Sequence, residues 1–176
     1  LARFDLRTLR IITNAAAPLP ESHVQRLRAA FPAARLISMY GMTECIRASY
    51  LAPEDLDRRP GSVGRGIAGQ RHWLIDEAGE RLPCGSVGEL VVSGPHMMAG
   101  YWQRPAETAA KFVHGAAPGE RAMRTGDIFR SDADGYLYFV SRKDDIIKTR
   151  GEKVAPREVE NVICELDDVA ACAVIG

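Results

Sequence analysis

The alternation of apolar and polar residues divides the chain into three stretches. Leu9 to Thr13 is a short apolar run that ends in the small residues Asn14-Ala15-Ala16-Ala17-Pro18, which predicts a buried strand and a tight turn. Pro20 and Glu21 then suit the first turn of a helix, and Val24, Leu27 and Phe31 recur at helical spacing. Leu36 to Tyr40 predicts the next strand. Strand, helix, strand predicts a parallel βαβ unit, and ligands of such sheets bind beyond the carboxyl ends of the strands. Those ends are Asn14–Ala17 and Tyr40–Glu44, so both should face one crevice.

The middle stretch has another rhythm. Residues 51–64 carry Pro53, Pro60, Gly61 and Gly64 and predict a loop. Arg71 to Asp76 predicts a strand, Glu77-Ala78-Gly79-Glu80 a hairpin turn, and Leu82 a return that Pro83-Cys84-Gly85 breaks. Glu89 to Ser93 predicts a further strand, Pro105 to Phe112 a helix, and residues 114–121 a Gly/Pro loop. Short strands between Gly and Pro turns predict a small antiparallel barrel or sheet. Thr125-Gly126-Asp127 reads as a turn, Asp132-Ala133-Asp134-Gly135 as a hairpin, and Tyr136 to Val140 as a strand.

The last stretch starts at Arg142-Lys143-Asp144-Asp145, where charges of both signs separate two apolar runs. Pro156 suits the first turn of a helix whose Val159, Val162, Ile163 and Leu166 share one face, and Val169 to Ile175 predicts a strand. Residues 146–176 are too few for an independent core. The expected organisation is 1–141, a boundary at 142–145, and the start of a second unit at 146–176.

Composition narrows the class. Apolar residues at 46% and charged residues at 26% suit a globular protein. Lys plus Arg and Asp plus Glu are both 23, so net charge gives no case for nucleic acid as a partner. No run of 18 apolar residues predicts a transmembrane helix. Cys45, Cys84, Cys164 and Cys172 are scattered without metal-ligand spacing, which predicts reduced thiols and a cytoplasmic protein. His23, His72, His96 and His114 do not cluster, and no nucleophile–base pair is evident.

Each residue of Tyr40-Gly41-Met42-Thr43-Glu44 except Met42 has a chemical use. An aromatic ring can stack on a purine, Gly41 lets the backbone come close, the Thr43 hydroxyl can donate to a phosphate oxygen, and the Glu44 carboxylate can hold Mg²⁺. Asp127 offers two acceptor oxygens that suit both hydroxyls of a ribose.

Four motifs in order resemble those of the adenylate-forming superfamily. They are Tyr40–Glu44, Gly88–Gly94 with Gly100-Tyr101-Trp102, Thr125-Gly126-Asp127, and the run from Asp134 to Glu160. That superfamily contains acyl-CoA synthetases, luciferases and peptide-synthetase adenylation domains, and the last run looks most like the acyl-CoA synthetases. The resemblance implies an α/β fold: the C-terminal part of the large domain (the βαβ piece plus a small antiparallel barrel or sheet), then the start of a small α+β domain. It implies ATP or AMP, Mg²⁺ and coenzyme A as cofactors, and a fatty or other organic acid as substrate. The acceptor is CoA, with a carrier-protein phosphopantetheine as one alternative and a non-catalytic nucleotide-binding module as another.

Residue by residue, the resemblance implies that Ala15, Ala16 and Ala17 let adenine approach. Tyr40, Gly41 and Met42 would line the nucleotide site, Thr43 contact phosphate, Glu44 hold Mg²⁺, and Asp127 the ribose, with Arg142 adding a contact. Asp144 would be the hinge, and Lys148 and Gly151 would approach the site during thioester formation. Gly94, Gly100, Tyr101 and Trp102 are expected to serve the fold. Ser141 stands where the family usually has Gly, and Arg150 where a small residue is frequent. The family's phosphate loop and its distal Lys are not in this sequence. The chain is therefore expected to be part of a longer enzyme and, alone, not to adenylate at a useful rate.

Overall fold

The computed structural model describes residues 4–15, 17, 19–115, 117, 119–164, 166 and 168–176. Strand β1 (Ile11–Asn14), helix α1 (Glu21–Ala30) and strand β2 (Arg35–Tyr40) form the expected unit, with β1 and β2 parallel and Asn14 level with Ser38. Val24 and Leu27 turn one face of α1 onto Leu36, Leu51 and Leu56, which explains why those positions are apolar at helical spacing.

From β2 the sheet continues antiparallel through β3 (Ser49–Leu51) and β4 (Ser62–Gly66). The stretch expected as loop, 51–64, is loop and a 3-10 turn at Pro53–Asp55 for most of its length; only Leu51, at the end of β3, and residues 62–64, at the start of β4, are strand. Gly64 explains why glycine punctuates this strand. Its φ is +83°, and an added Cβ would lie 1.7 Å from the Tyr50 carbonyl oxygen.

The remaining strands are β5 (Arg71–Ile75), β6 (Val87–Ser93), β7 (Phe112–His114), β8 (Arg121–Ser131) and β9 (Leu137–Arg142), with helix α2 at Pro105–Lys111. The path runs β1-β2-β3-β4-β9-β8-β6-β5, and β7 pairs with β8 off that path. The edges β1 and β5 do not pair, so the antiparallel part is an open sheet continuous with the βαβ piece; the barrel alternative does not hold. The cause is the register, which carries β4 directly onto β9 and makes one ladder of both parts.

Strand β8 is the hub. It has β6 along one side, while β7 and then β9 share the other. Phe129, Met123, Leu90, Val92, Leu137 and Cys45 are fully buried together, and Tyr40 and Met42 pack on that core from the end of β2. Burying such side chains stabilises the fold by about 1.5–3 kcal/mol each.

After β9 the chain turns at residues 143–145 into a separate hairpin, β10 (Ile147–Thr149) and β11 (Glu152–Val154), followed by α3 (Pro156–Ile163). The hairpin loop Arg150-Gly151 has φ +50° and +87°, the left-handed pair that a two-residue turn requires. That geometry explains why a small residue suits position 150, and Arg150 occupies it at some strain. Val159 and Val162 of α3 and Leu166 beyond it are exposed. Val169 to Ile175, expected as a strand, pairs with no described strand; it instead returns along α3, where the Val174 amide donates to Glu160 Oε1 at 3.1 Å.

Candidate functional site

Thr125-Gly126-Asp127 is not a turn between elements but a bulge inside β8. Between Val91 and Glu89 of β6, β8 runs from Arg124 to Ile128, two residues more than its partner. Thr125 staples the bulge. Its buried hydroxyl donates to the Leu90 carbonyl at 2.8 Å and accepts the Asp127 amide at 3.1 Å. Gly126 takes φ +80°. The result delivers Asp127 to the carboxyl end of β2.

There Asp127 Oδ2 accepts the Tyr40 hydroxyl at 2.6 Å. Arg142 lies opposite Asp127 in the β8–β9 register, and its Nε is 3.0 Å from Oδ1. That approach lacks hydrogen-bond alignment, and Oδ1 is a buried acceptor without a hydrogen-bond partner. Burial pushes the Asp127 carboxyl above its ordinary range, against the Tyr40 hydroxyl and the charges of Arg142 and Lys111. Burial, and then Asp127, push the Tyr40 hydroxyl up as well. The Tyr40 ring stands edge-on to Phe129 at 4.7 Å, so Tyr40 is anchored both in the core and on Asp127.

Gly41 begins a tight loop. An added Cβ would lie 2.0 Å from the Ile46 carbonyl oxygen, so here glycine is needed by the chain's own backbone. Thr43 is exposed, and Glu44 is half-buried. Tyr101 donates its hydroxyl to Glu44 Oε1 at 2.6 Å. Burial works against the charge on Glu44, yet Tyr101, Lys111 and Arg142 hold its carboxyl below the ordinary value. The hydrogen bond to Glu44 pushes the Tyr101 hydroxyl up to about 12.

Tyr40, Met42, Glu44, Asp127 and Arg142 therefore gather at one place, the candidate crevice at the carboxyl end of β2. Ala15 and Ala17 lie at the end of the neighbouring strand, exposed, with the Asn14 side-chain amide donating to the Ala17 carbonyl at 2.8 Å. Ala16 lies outside the described residues. Asp144 is exposed in the turn after β9; Lys148 and Gly151 are exposed on the β10–β11 hairpin and make no hydrogen bond to the crevice among the described residues.

Sequence reasoning missed three contributors. Tyr101, expected to serve the fold alone, holds Glu44. Lys111 donates to the Thr125 carbonyl at 3.1 Å and places its charge near both Glu44 and Asp127. Glu89, buried beneath the bulge, binds Arg124 Nη2 at 2.5 Å and Lys143 Nζ at 2.9 Å. Only the Lys at the end of α2 carried a signal, as a cation at a helix C-terminus.

Glu44 fits a divalent cation. Its Oε2 makes no hydrogen bond or ion pair among the described residues, and no group of three or more His, Cys, Asp or Glu gathers there. A lone carboxylate suits Mg²⁺ that arrives on phosphate oxygens rather than in a cage of protein ligands.

An open sheet whose parallel strands β1 and β2 end beside Tyr40, Glu44 and Asp127 places the protein in the α/β class, in which ligands bind beyond the carboxyl ends of the strands. The chain belongs to the AMP-binding enzyme family, whose model matches residues 1–102. It is 35% identical over 174 residues to tyrocidine synthase 2 of Brevibacillus parabrevis, covering 98% of this chain and 5% of that protein. It is 37% identical over 178 residues to acyl-CoA synthetase 7 of Caenorhabditis elegans, covering 100% of this chain and 31% of that one. The o-succinylbenzoate CoA synthetase (MenE) of Bacillus subtilis, in complex with the acyl-adenylate intermediate OSB-AMP, superposes with a TM-score of 0.83. That match has 30% identity and covers 95% of this chain and 33% of MenE. The chain thus spans about a third, or far less, of these relatives' lengths. No described helix is long and apolar enough to cross a membrane.

Proposed function

We propose that this chain forms the nucleotide crevice and hinge of an ATP-dependent carboxylate–thiol ligase. The observation that carries the reading is Asp127: a buried carboxylate, delivered by a stapled bulge, with one acceptor oxygen that faces Arg142 but has no hydrogen-bond partner among the described residues. In this reading residues 1–141 end the large domain, 142–145 are the hinge around Asp144, and 146–176 open the small domain.

The reaction has two halves. A carboxylate oxygen attacks the α-phosphorus of ATP and pyrophosphate leaves; a thiol then displaces AMP from the acyl-adenylate. The first half needs positioning and charge neutralisation rather than a protein nucleophile. Asp127 holds the ribose hydroxyls with Arg142 beside it. Ala15, Ala16, Ala17, Tyr40, Gly41 and Met42 bound the adenine side, and Thr43 donates to phosphate. Glu44 would hold Mg²⁺, which when bound would supply charge neutralisation to the phosphates. Lys148 and Gly151 reach the crevice when the small domain turns about Asp144 for the thiol step. The acid is a fatty or other organic acid, and CoA is the acceptor.

The test is carboxylate-dependent ATP–pyrophosphate exchange by the full-length protein, with acids from acetate to long-chain fatty and aryl acids. Exchange with at least one acid, lost in Glu44→Ala, is expected; ATP binding without exchange for any acid would replace the ligase with a binding module. Adding CoA or a phosphopantetheinylated carrier protein then reads the acceptor. Tyr101→Phe should keep exchange but raise the Mg²⁺ concentration for half-maximal rate about tenfold, the worth of one hydrogen bond to a charged group. An unchanged Mg²⁺ dependence would return Tyr101 to a purely structural role.

A further inference from the structure

Outside the crevice the chain carries a second reactive arrangement. Cys164, at the end of α3, and Cys172, on the returning chain, bring their Sγ atoms to 3.4 Å. Cys164 is exposed and Cys172 half-buried. Two further contacts hold the approach. Cys172 Sγ lies 3.4 Å from the Glu160 carbonyl, and the Val174 amide donates to Glu160 Oε1 at 3.1 Å. The other two cysteines offer no such chemistry, since Cys45 is fully buried in the core and Cys84 is exposed without a described thiol partner.

We propose that Cys164 and Cys172 are a modification site, a dithiol that closes to an intramolecular disulfide on exchange with a small-molecule disulfide such as oxidised glutathione. Accessibility and proximity set the order of events. The Cys164 thiolate attacks one sulfur of oxidised glutathione, the S–S bond breaks, and one glutathione leaves as the thiol. Cys172 then gives up its proton and attacks Cys164 Sγ, and the second glutathione leaves. One disulfide is consumed and one formed, and the two cysteine protons end on the two glutathiones. The hydrogen bond with Cys164 raises the Cys172 thiol, which suits the resolving partner rather than the attacking one. The second step is intramolecular, at an effective concentration far above that of a competing small thiol. The product clamps the returning chain to the end of α3 and closes a short loop.

The experiment is oxidation of the native protein by oxidised glutathione, followed by acid quench, denaturation, thiol counting and peptide mapping. The peptide spanning Cys164 and Cys172 should be lighter by two hydrogens and carry no glutathione, whatever adduct the exposed Cys84 takes up, and the buried Cys45 should remain a thiol. Cys164→Ser and Cys172→Ser should each abolish the bridge, with a stable glutathione adduct on the cysteine that remains, whereas Cys84→Ser should leave it unchanged. Separate glutathione adducts on both cysteines of the wild-type chain, a disulfide between chains, or no reaction at either would overturn the proposal. Because the mapping is made on the wild-type chain, a variant that fails to fold does not decide the outcome.

Discussion

Asp127→Ala is expected to lower ATP–pyrophosphate exchange by the full-length protein about 100-fold. The side chain is 6% exposed, Oδ2 already serves Tyr40, and Oδ1 has no hydrogen-bond partner of its own. A hydrogen bond to a charged group contributes about 1.5–3 kcal/mol, and a ribose offers two hydroxyls. Losing about 3 kcal/mol is about two orders of magnitude in rate. Asp127→Asn is the sharper variant because it keeps the shape. The folded protein raises this carboxyl above its unfolded value of 3.8, mainly by burial. Ionisation therefore opposes folding, and that penalty grows as the pH rises through the folded value. Near neutral pH the Asn variant should melt at a higher temperature than wild type while losing exchange. Wild-type exchange in both variants would remove Asp127 from the site, and a lower melting temperature for Asn would remove the burial argument.

The second large effect is on stability. Arg124→Met should cost about 2 kcal/mol, read as a fall in the urea midpoint at neutral pH. Glu89 would stay buried with Lys143 as its remaining ion-pair partner among the described residues. The figure lies below the range for fully buried pairs because the Arg124 side chain is 31% exposed. Burial opposes the charge on Glu89, but Arg124 and Lys143 outweigh it and hold the carboxyl below its unfolded value of 4.5. Its contribution is thus complete above pH 4.5 and is lost as the pH falls through the folded value. The gap between variant and wild type should narrow below pH 4.5. A gap that is constant with pH would mean that Arg124 acts through packing of its stem instead.

The periodic parts of this fold were legible in the sequence. Val24, Leu27, Leu36 and the apolar run at Ile11 gave the βαβ unit, because one buried face forces helical or strand spacing. The bulge was not legible, since Thr125-Gly126-Asp127 has the composition of a turn and only the register against β6 shows that the strand continues through it. Residues 51–64 are mostly loop, and the start of β4 at 62–64 was hidden there for a related reason: Gly61 and Gly64 read as loop, while Gly64 in fact admits the Tyr50 carbonyl. Val169 to Ile175 failed the other way, because alternation describes a face and a strand also needs a neighbour to pair with. Within the site, Tyr40 and Asp127 could be named but not joined, being 87 positions apart, and Tyr101 lies 57 from Glu44.

Arg142 is both the last residue of β9 and the cross-strand partner of Asp127, two positions before Asp144. Lys143, between them, is tied by its amide to the Gly126 carbonyl at 2.8 Å and by its ammonium to Glu89. In the proposed reading, with Asp144 as the pivot and Arg142 beside the ribose, nucleotide site and pivot adjoin on the stretch that Lys143 ties down. On that proposal, a torsion there that strains Arg142 would change affinity for the ribose. By thermodynamic reciprocity, nucleotide occupancy must shift the balance of pivot angles by the same factor. The two halves of the reaction would then be ordered by linkage, with the departure of one ligand setting the orientation that admits the next.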